Sequence, residues 1–245
     1  MSSPATLLVI ADIGGYTRFL KMHSVSLVHA QHVVGRLLEA VIGAVRSDLT
    51  LAKLEGDAAF FHARAPVDDA SLSRHVGAMH RAFHRTRADL ARNALCPCDG
   101  CQQAGELKIK VVAHLGQVAR QKIARREELA GVDVILVHRL LKNDVPVAEY
   151  LLVTAPLLPH IEASQRGAAR SLTMDIADLG QTDTYYVELP PATDDDDEAP
   201  LPYLQRKARQ LSLAWQTLPY LFGRRKPCVD FHNVPDMHDA PQRTL

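Results

Sequence analysis

Long apolar runs are missing from this chain, and no stretch of it is long enough to span a bilayer. A dominant charge is missing too. Lysine plus arginine and aspartate plus glutamate each number 28, so the formal net charge is zero. No global field therefore advertises a nucleic-acid partner or stable membrane insertion. The opening MSSPAT lacks the basic and apolar regions of a signal peptide. Cysteine is limited to four residues, three of them crowded into CPCDGC, which argues against a secreted disulfide framework. These absences lead to the expectation of a soluble cytoplasmic protein. What is present is a 47% apolar composition over 245 residues, enough for one medium domain with an appendage and too much for wholesale disorder.

The stretch TLLVIADIGGYTRFL, Thr6 to Leu20, poses the first chemical question. Residues 6–12 read as a buried strand that ends on a carboxylate, Asp12, before the pattern breaks at Gly14-Gly15. A carboxylate at the end of a buried strand is costly unless something pairs with it. Further on, helical spacing predicts a helix from Tyr16 to Ser47 and another over residues 67–93. LTLAKLEGDAAFFHA reads as two short strands joined at Glu55-Gly56. ELKIKVVAHLGQVARQKI reads as a strand, a turn at Gly116 and a second strand. A third helix follows in AGVDVILVHRLLKN, then a strand in EYLLVT and a closing strand pair up to Leu189.

That order, β-α-β-β-α-β with a later helix and β-hairpin, predicts an α+β fold, a ferredoxin-like sandwich with additions. It assigns residues 1–190 to one domain. The Pro-rich acidic segment 191–200 reads as a linker, and residues 201–245 as a C-terminal helical extension and tail.

Asp12 has a candidate partner in Asp57, within KLEGDAAFF. A hairpin over residues 52–63 lying beside the first strand brings both carboxylates to one sheet edge. Two such acids repel unless cations sit between them, and Mg²⁺ or Mn²⁺ with a triphosphate fits oxygen ligands. Gly14 and Gly15 let phosphate oxygens approach the backbone. The alternative is that Asp12 caps the first helix and Asp57 occupies a turn.

ADIGGYTRF resembles the first metal motif of class III nucleotidyl cyclases, and KLEGDAAFF resembles their second. VVAHLGQV is similar to the strand–Gly–strand that follows, and GVDVILVHRLLK takes the place of the family's Gly-Asp-x-Val-Asn-x-x-x-Arg segment. The likeness covers about residues 5–190. The cysteine cluster and HRLLKN look closer still to a bacterial cyclase-like branch of unknown function.

The resemblance implies that Asp12, Asp57 and the Ile13 carbonyl bind the metal. It implies that Lys53 contacts the base, as in ATP-using members, and that Arg139 stabilises charge at the transferring phosphate. Glu128 falls on the acid that partners the lysine. The family's ribose-binding Asn falls on Ile135, which cannot hydrogen-bond, and the later triphosphate lysine is not evident. Arg120, Lys122, Arg125 and Arg126 are substitutes for phosphate contact or else a solvated basic surface. The implied activity is a nucleoside triphosphate cyclase whose sites form between the two chains of a homodimer. The implied alternative is a weakened module that binds nucleotide and metal for regulation.

Cys96, Cys98 and Cys101 have a spacing that suits a shared structural Zn²⁺, with a fourth ligand from Cys228, a histidine or a second subunit; free thiols are the equal alternative. His80 and His84 stand at i, i+4, a spacing that can bind metal, but no glutamate completes an H-E-x-x-H pattern, so packing on a helix face is expected. His138 is expected to make a local hydrogen bond. Leu204, Leu211, Trp215 and Leu218 share a helical face, which is expected to pack on the chain's own domain or a partner.

Overall fold

The run from Thr6 to Asp12 does form a strand, and that strand lies at the heart of the sheet. The computed structural model describes residues 5–16, 19, 27–64, 70–93, 104–124, 126–191 and 200–221. Strand β1 spans Ala5–Gly14, and every residue from Thr6 to Ala11 is buried. There follow α1 (Leu27–Val45), β2 (Thr50–Glu55), β3 (Ala58–Arg64) and α2 (Ser71–Asn93). Next come β4 (Lys108–Gln117), β5 (Ala119–Ile123), β6 (Arg126–Ala130) and α3 (Val132–Arg139). The chain continues with β7 (Tyr150–Thr154), α4 (Ala163–Ala168), β8 (Arg170–Ile176), β9 (Gly180–Glu188) and α5 (Tyr203–Leu221).

The main sheet has seven strands in the order β2-β3-β1-β4-β7-β9-β8. Its first four strands form the expected ferredoxin-like unit, with β1 antiparallel to both β3 and β4. The later strands extend that sheet through a parallel β4–β7 pair. Side-chain alternation along β1 divides the core in two. Leu7, Val9, Ala11 and Ile13 pack with Val33, Leu37 and Val41 of α1 and Val76, Met79 and Phe83 of α2. Leu8 and Ile10 point the other way, toward Phe60, Val112, Tyr150, Val137 of α3 and Leu140 just after it. Each such buried side chain contributes about 1.5–3 kcal/mol relative to exposure. A continuous apolar run suits β1 because both of its faces are covered.

Gly116 does not make the expected turn. Strand β4 runs through it to Gln117, and β5 pairs with β6 in a separate two-stranded ribbon. The glycine serves a close approach instead: a Cβ there would lie 2.4 Å from the Asp133 Cγ. Asp133 accepts the Gln117 backbone N–H at 2.6 Å and faces His114 Nε2 at 3.1 Å, while His114 Nδ1 meets the Thr154 hydroxyl at 2.7 Å. This chain of contacts fastens α3 to β4 and β7.

The Leu204, Leu211 and Trp215 side chains of α5 do not pack on the chain's own domain, one of the two arrangements expected for them. Leu204, Leu211 and Trp215 are 80%, 68% and 76% exposed. Polar contacts hold the helix instead: Arg209 reaches Asp89 of α2 at 3.2 Å, and the Leu201 N–H donates to Asn93 Oδ1 at 2.9 Å. The Leu218 side chain and linker residues 192–199 lie outside the described residues.

Candidate functional site

Asp12 is the first acid after the apolar run of β1 and shares its face with Leu8 and Ile10. The β2–β3 turn is made by Gly56-Asp57, and Gly56 adopts φ +66, a left-handed conformation natural to glycine. Because Asp12 lies opposite Ala58, the tight turn brings Asp57 beside the end of β1. The Ile13 N–H donates to the Asp57 carbonyl at 3.2 Å. Asp12, Ile13 and Asp57 are thus gathered at one end of the sheet.

The electrostatics of this corner are unfavourable to two bare acids. Burial raises the Asp12 carboxyl above its usual range, with the Lys110 charge opposing. Burial, and then the charge of Asp12, push Asp57 up to about 6. Burial and the Asp57 charge also raise the Tyr16 phenol. Half-buried acids that repel each other in this way match what a hard divalent cation relieves.

Lys110 was not among the residues singled out in the sequence. It is the register partner of Asp12 on β4. Its side chain runs across the Gly14 backbone, where a Cβ would lie 3.0 Å from the Lys110 Cε. The only sequence signal is the alternation in KIKVVAH, which gives Lys110 no partner until the strand register is known.

The remaining expected residues lie elsewhere on the molecule. Lys53 pairs with Glu55 at 2.5 Å, and Glu55 lies 3.0 Å from His138 Nε2. Burial favours the neutral Glu55 acid, but Lys53 and His138 outweigh it and hold the carboxyl below its usual value. His138 also makes the expected local hydrogen bond, Nδ1 to the Val134 carbonyl at 2.7 Å. Its neighbour Arg139 pairs with Asp178 at 3.1 Å. Glu128 lies opposite Gln121 on the β5–β6 ribbon. Ile135 is 50% exposed. Among the described residues, no hydrogen bond or ion pair joins Lys53, Glu128 or Arg139 to Asp12 or Asp57. Arg120 is engaged by Glu127 at 2.6 Å and by His62 at 3.3 Å. His80 and His84 are buried on α2. Cys96, Cys98, Cys101 and Cys228, with Arg125, lie outside the described residues.

Comparison with known proteins places this corner in context. The profile of a family described as protein of unknown function (DUF2652) matches residues 34–150. The chain is also 41% identical over 206 residues to the uncharacterized protein Rv2561/Rv2562 of Mycobacterium tuberculosis, a match covering 82% of this chain and 94% of that protein. The chain belongs to that protein's family.

Solved structures similar to this chain are class III adenylate and guanylate cyclase domains. The guanylate cyclase domain of RhGC from Catenaria anguillulae, solved in complex with GTP, aligns with a TM-score of 0.53 and 14% identity, covering 75% of this chain and 96% of that one. A bacterial light-regulated adenylyl cyclase aligns with a TM-score of 0.54 and 16% identity, over 86% of this chain and 56% of that one. The adenylyl cyclase CyaB from P. aeruginosa gives a TM-score of 0.50 and 13% identity, over 78% and 96%. The chain thus shares the α+β fold of these cyclase domains.

Proposed function

We propose that this chain is a nucleotide cyclase, converting a nucleoside triphosphate, with ATP favoured, to the 3′,5′-cyclic nucleotide and pyrophosphate. The observation that carries the reading is the Asp12–Asp57 pair, two half-buried acids raised by burial and, for Asp57, by the other's charge. Asp12, Asp57 and the Ile13 carbonyl would hold Mg²⁺ or Mn²⁺, which supplies charge neutralisation at the phosphates and activation of the attacking hydroxyl. Gly15, which is exposed, leaves its backbone open to phosphate oxygens, whereas the Lys110 side chain covers Gly14. Lys53 and Glu128 would read the base, and Arg139 would stabilise charge on the transferring phosphate.

Within one chain these last residues are held by other partners: Lys53 by Glu55, Arg139 by Asp178. That separation supports a homodimer in which one chain gives the acids and its partner gives Lys53, Glu128 and Arg139. The similarity to a cyclase domain solved with GTP supports a nucleoside triphosphate as the ligand.

Ile135 favours a second reading. Its exposed side chain stands where a ribose-binding amide is expected and cannot hydrogen-bond. On that reading the chain binds nucleotide and metal without turnover and reports the bound state to a partner. Incubating the protein with each of the four ribonucleoside triphosphates and Mn²⁺ separates the two. Cyclic product supports the enzyme, tight binding without product supports the module, and neither result with folded protein overturns both.

A further inference from the structure

We propose that His80, His84 and Glu149 form a buried zinc site, separate from the acids at the end of β1. The two histidines stand one turn apart on α2, and Glu149 immediately precedes β7. One ligand atom from each residue lies within 4.8 Å of the other two. Both imidazole side chains are 7% exposed and the carboxylate 12%. His84 Nε2 lies 2.9 Å from Glu149 Oε1, and His80 Nε2 lies 3.9 Å from Oε2. The two rings are 4.3 Å apart.

The polar bookkeeping of this cluster does not close within the protein. His80 Nε2 and both ring nitrogens of His84 are buried without a hydrogen bond of ordinary geometry. Buried polar atoms are nearly always satisfied, and each neutral imidazole has one lone-pair nitrogen that a single electron-pair acceptor beside Glu149 would take up. Tetrahedral zinc binds imidazole nitrogen and carboxylate oxygen at about 2.0–2.2 Å, which sets ligand-to-ligand separations of roughly 3.3 Å. The His84–Glu149 and His80–Glu149 spacings of 2.9 and 3.9 Å lie on either side of that value. Two nitrogens and one oxygen select zinc over magnesium or calcium, which favour all-oxygen sets. Among the described residues the group comprises these three alone, and the fourth position goes to water.

Glu149 is oriented for the task. Its Oε1 accepts the Ile109 N–H at 3.0 Å, and its carbonyl accepts the Leu189 N–H at 3.0 Å. Ile109 is the register partner of Ile13. An ion here would pin α2 to the start of β4, on the opposite face of the sheet from Asp12 and directly behind the end of β1.

The test is metal reconstitution of the full-length chain, with Co²⁺ as the optical probe for zinc. Chelator-treated protein should bind Co²⁺ at this site with d–d bands of nitrogen–oxygen ligation, and Zn²⁺ should displace it and raise the melting temperature. Glu149→Gln, nearly isosteric, and His84→Gln should each lower that affinity at least tenfold and abolish the zinc-dependent rise in melting temperature. A thiolate charge-transfer band from a cysteine site, if present, should persist in both variants. The proposal is overturned if wild type binds no Co²⁺, binds it through thiolates alone, or if folded Glu149→Gln keeps full affinity. The wild-type spectrum decides the matter where a variant fails to fold.

Discussion

Ile13 and Asp57 are joined by a backbone hydrogen bond of 3.2 Å, which ties the end of β1 to the β2–β3 turn. The turn therefore holds the Asp57 carboxyl near Asp12 through the backbone, with or without a cation. Mn²⁺ with nucleotide should raise the melting temperature of wild type, because only the folded state pairs these ligands. Asp12→Asn should abolish that rise and lower the proposed cyclase activity roughly 100-fold or more. Its metal-free fold should remain intact or become slightly more stable, since a charge repulsion is removed. Equal thermal shifts in the two proteins would mean that Asp12 is not a metal ligand.

The acid pair also sets a pH dependence. In metal-free protein the folded state holds the Asp57 proton up to about 6, against an ordinary value of 3.8. Between those values folding takes up a proton, so the contribution of this group to stability is greatest at low pH and is lost as pH rises through about 6. The melting temperature of wild type relative to Asp57→Asn should therefore decline from pH 4 to pH 6.5 and then level off. A flat difference would contradict the raised carboxyl.

Glu149 has the opposite sign. Burial alone would raise its carboxyl, but the His80 and His84 imidazoles and the Ile109 N–H hold it well below the ordinary 4.5. Its stabilisation is complete above that value and is lost as pH falls. Metal-free Glu149→Gln should thus melt below wild type at pH 7, with the gap closing in acid. Paired scans across pH 3–7 would check this.

If the site is shared between chains, mixing Asp57→Ala with Arg139→Ala should restore one intact site in each mixed dimer. Activity of the mixture should exceed that of either variant alone by at least tenfold, and activity per chain should fall on dilution. No recovery, with mixed dimers shown to form, would count against the shared site.

Gly116→Ala should destabilise the chain by about 1–3 kcal/mol in urea, because its Cβ would meet Asp133 and force α3 away from β4. Adding Asp133→Ala should recover part of that loss, so the two costs should not add. Additive costs would mean that the contact is slack.

The central fold was legible in the sequence because β1 and the β2–β3 hairpin carry strong local signals: apolar runs, and a glycine where φ turns positive. The meeting of Asp12 and Asp57 followed from that hairpin. Lys110 was not legible, since a lysine on an alternating strand acquires its neighbour from cross-strand register alone. Strand β5 was expected from QVARQKI, but its partner β6 was missed because RREELA is polar and offers no apolar pattern. Glu149 was missed for another reason: nothing local marks the residue before a strand as facing two histidines on a distant helix. The pattern in α5 left open what its apolar face meets: Leu204, Leu211 and Trp215 are exposed while Arg209 reaches Asp89.

The position of β1 between β3 and β4, set against the separate β5–β6 ribbon, gives the two halves of the proposed site different clocks. The amides of β1 are paired on both edges and covered on both faces, so deuterium should reach them only through global unfolding. Every residue of β5 is exposed, and a two-stranded ribbon is marginal by itself. Deuterium should therefore mark the Glu128 segment early and the Asp12 segment last, leaving Asp12 on the slowest-exchanging strand of the molecule while the proposed base-reading residue stays free to adjust to whatever it meets.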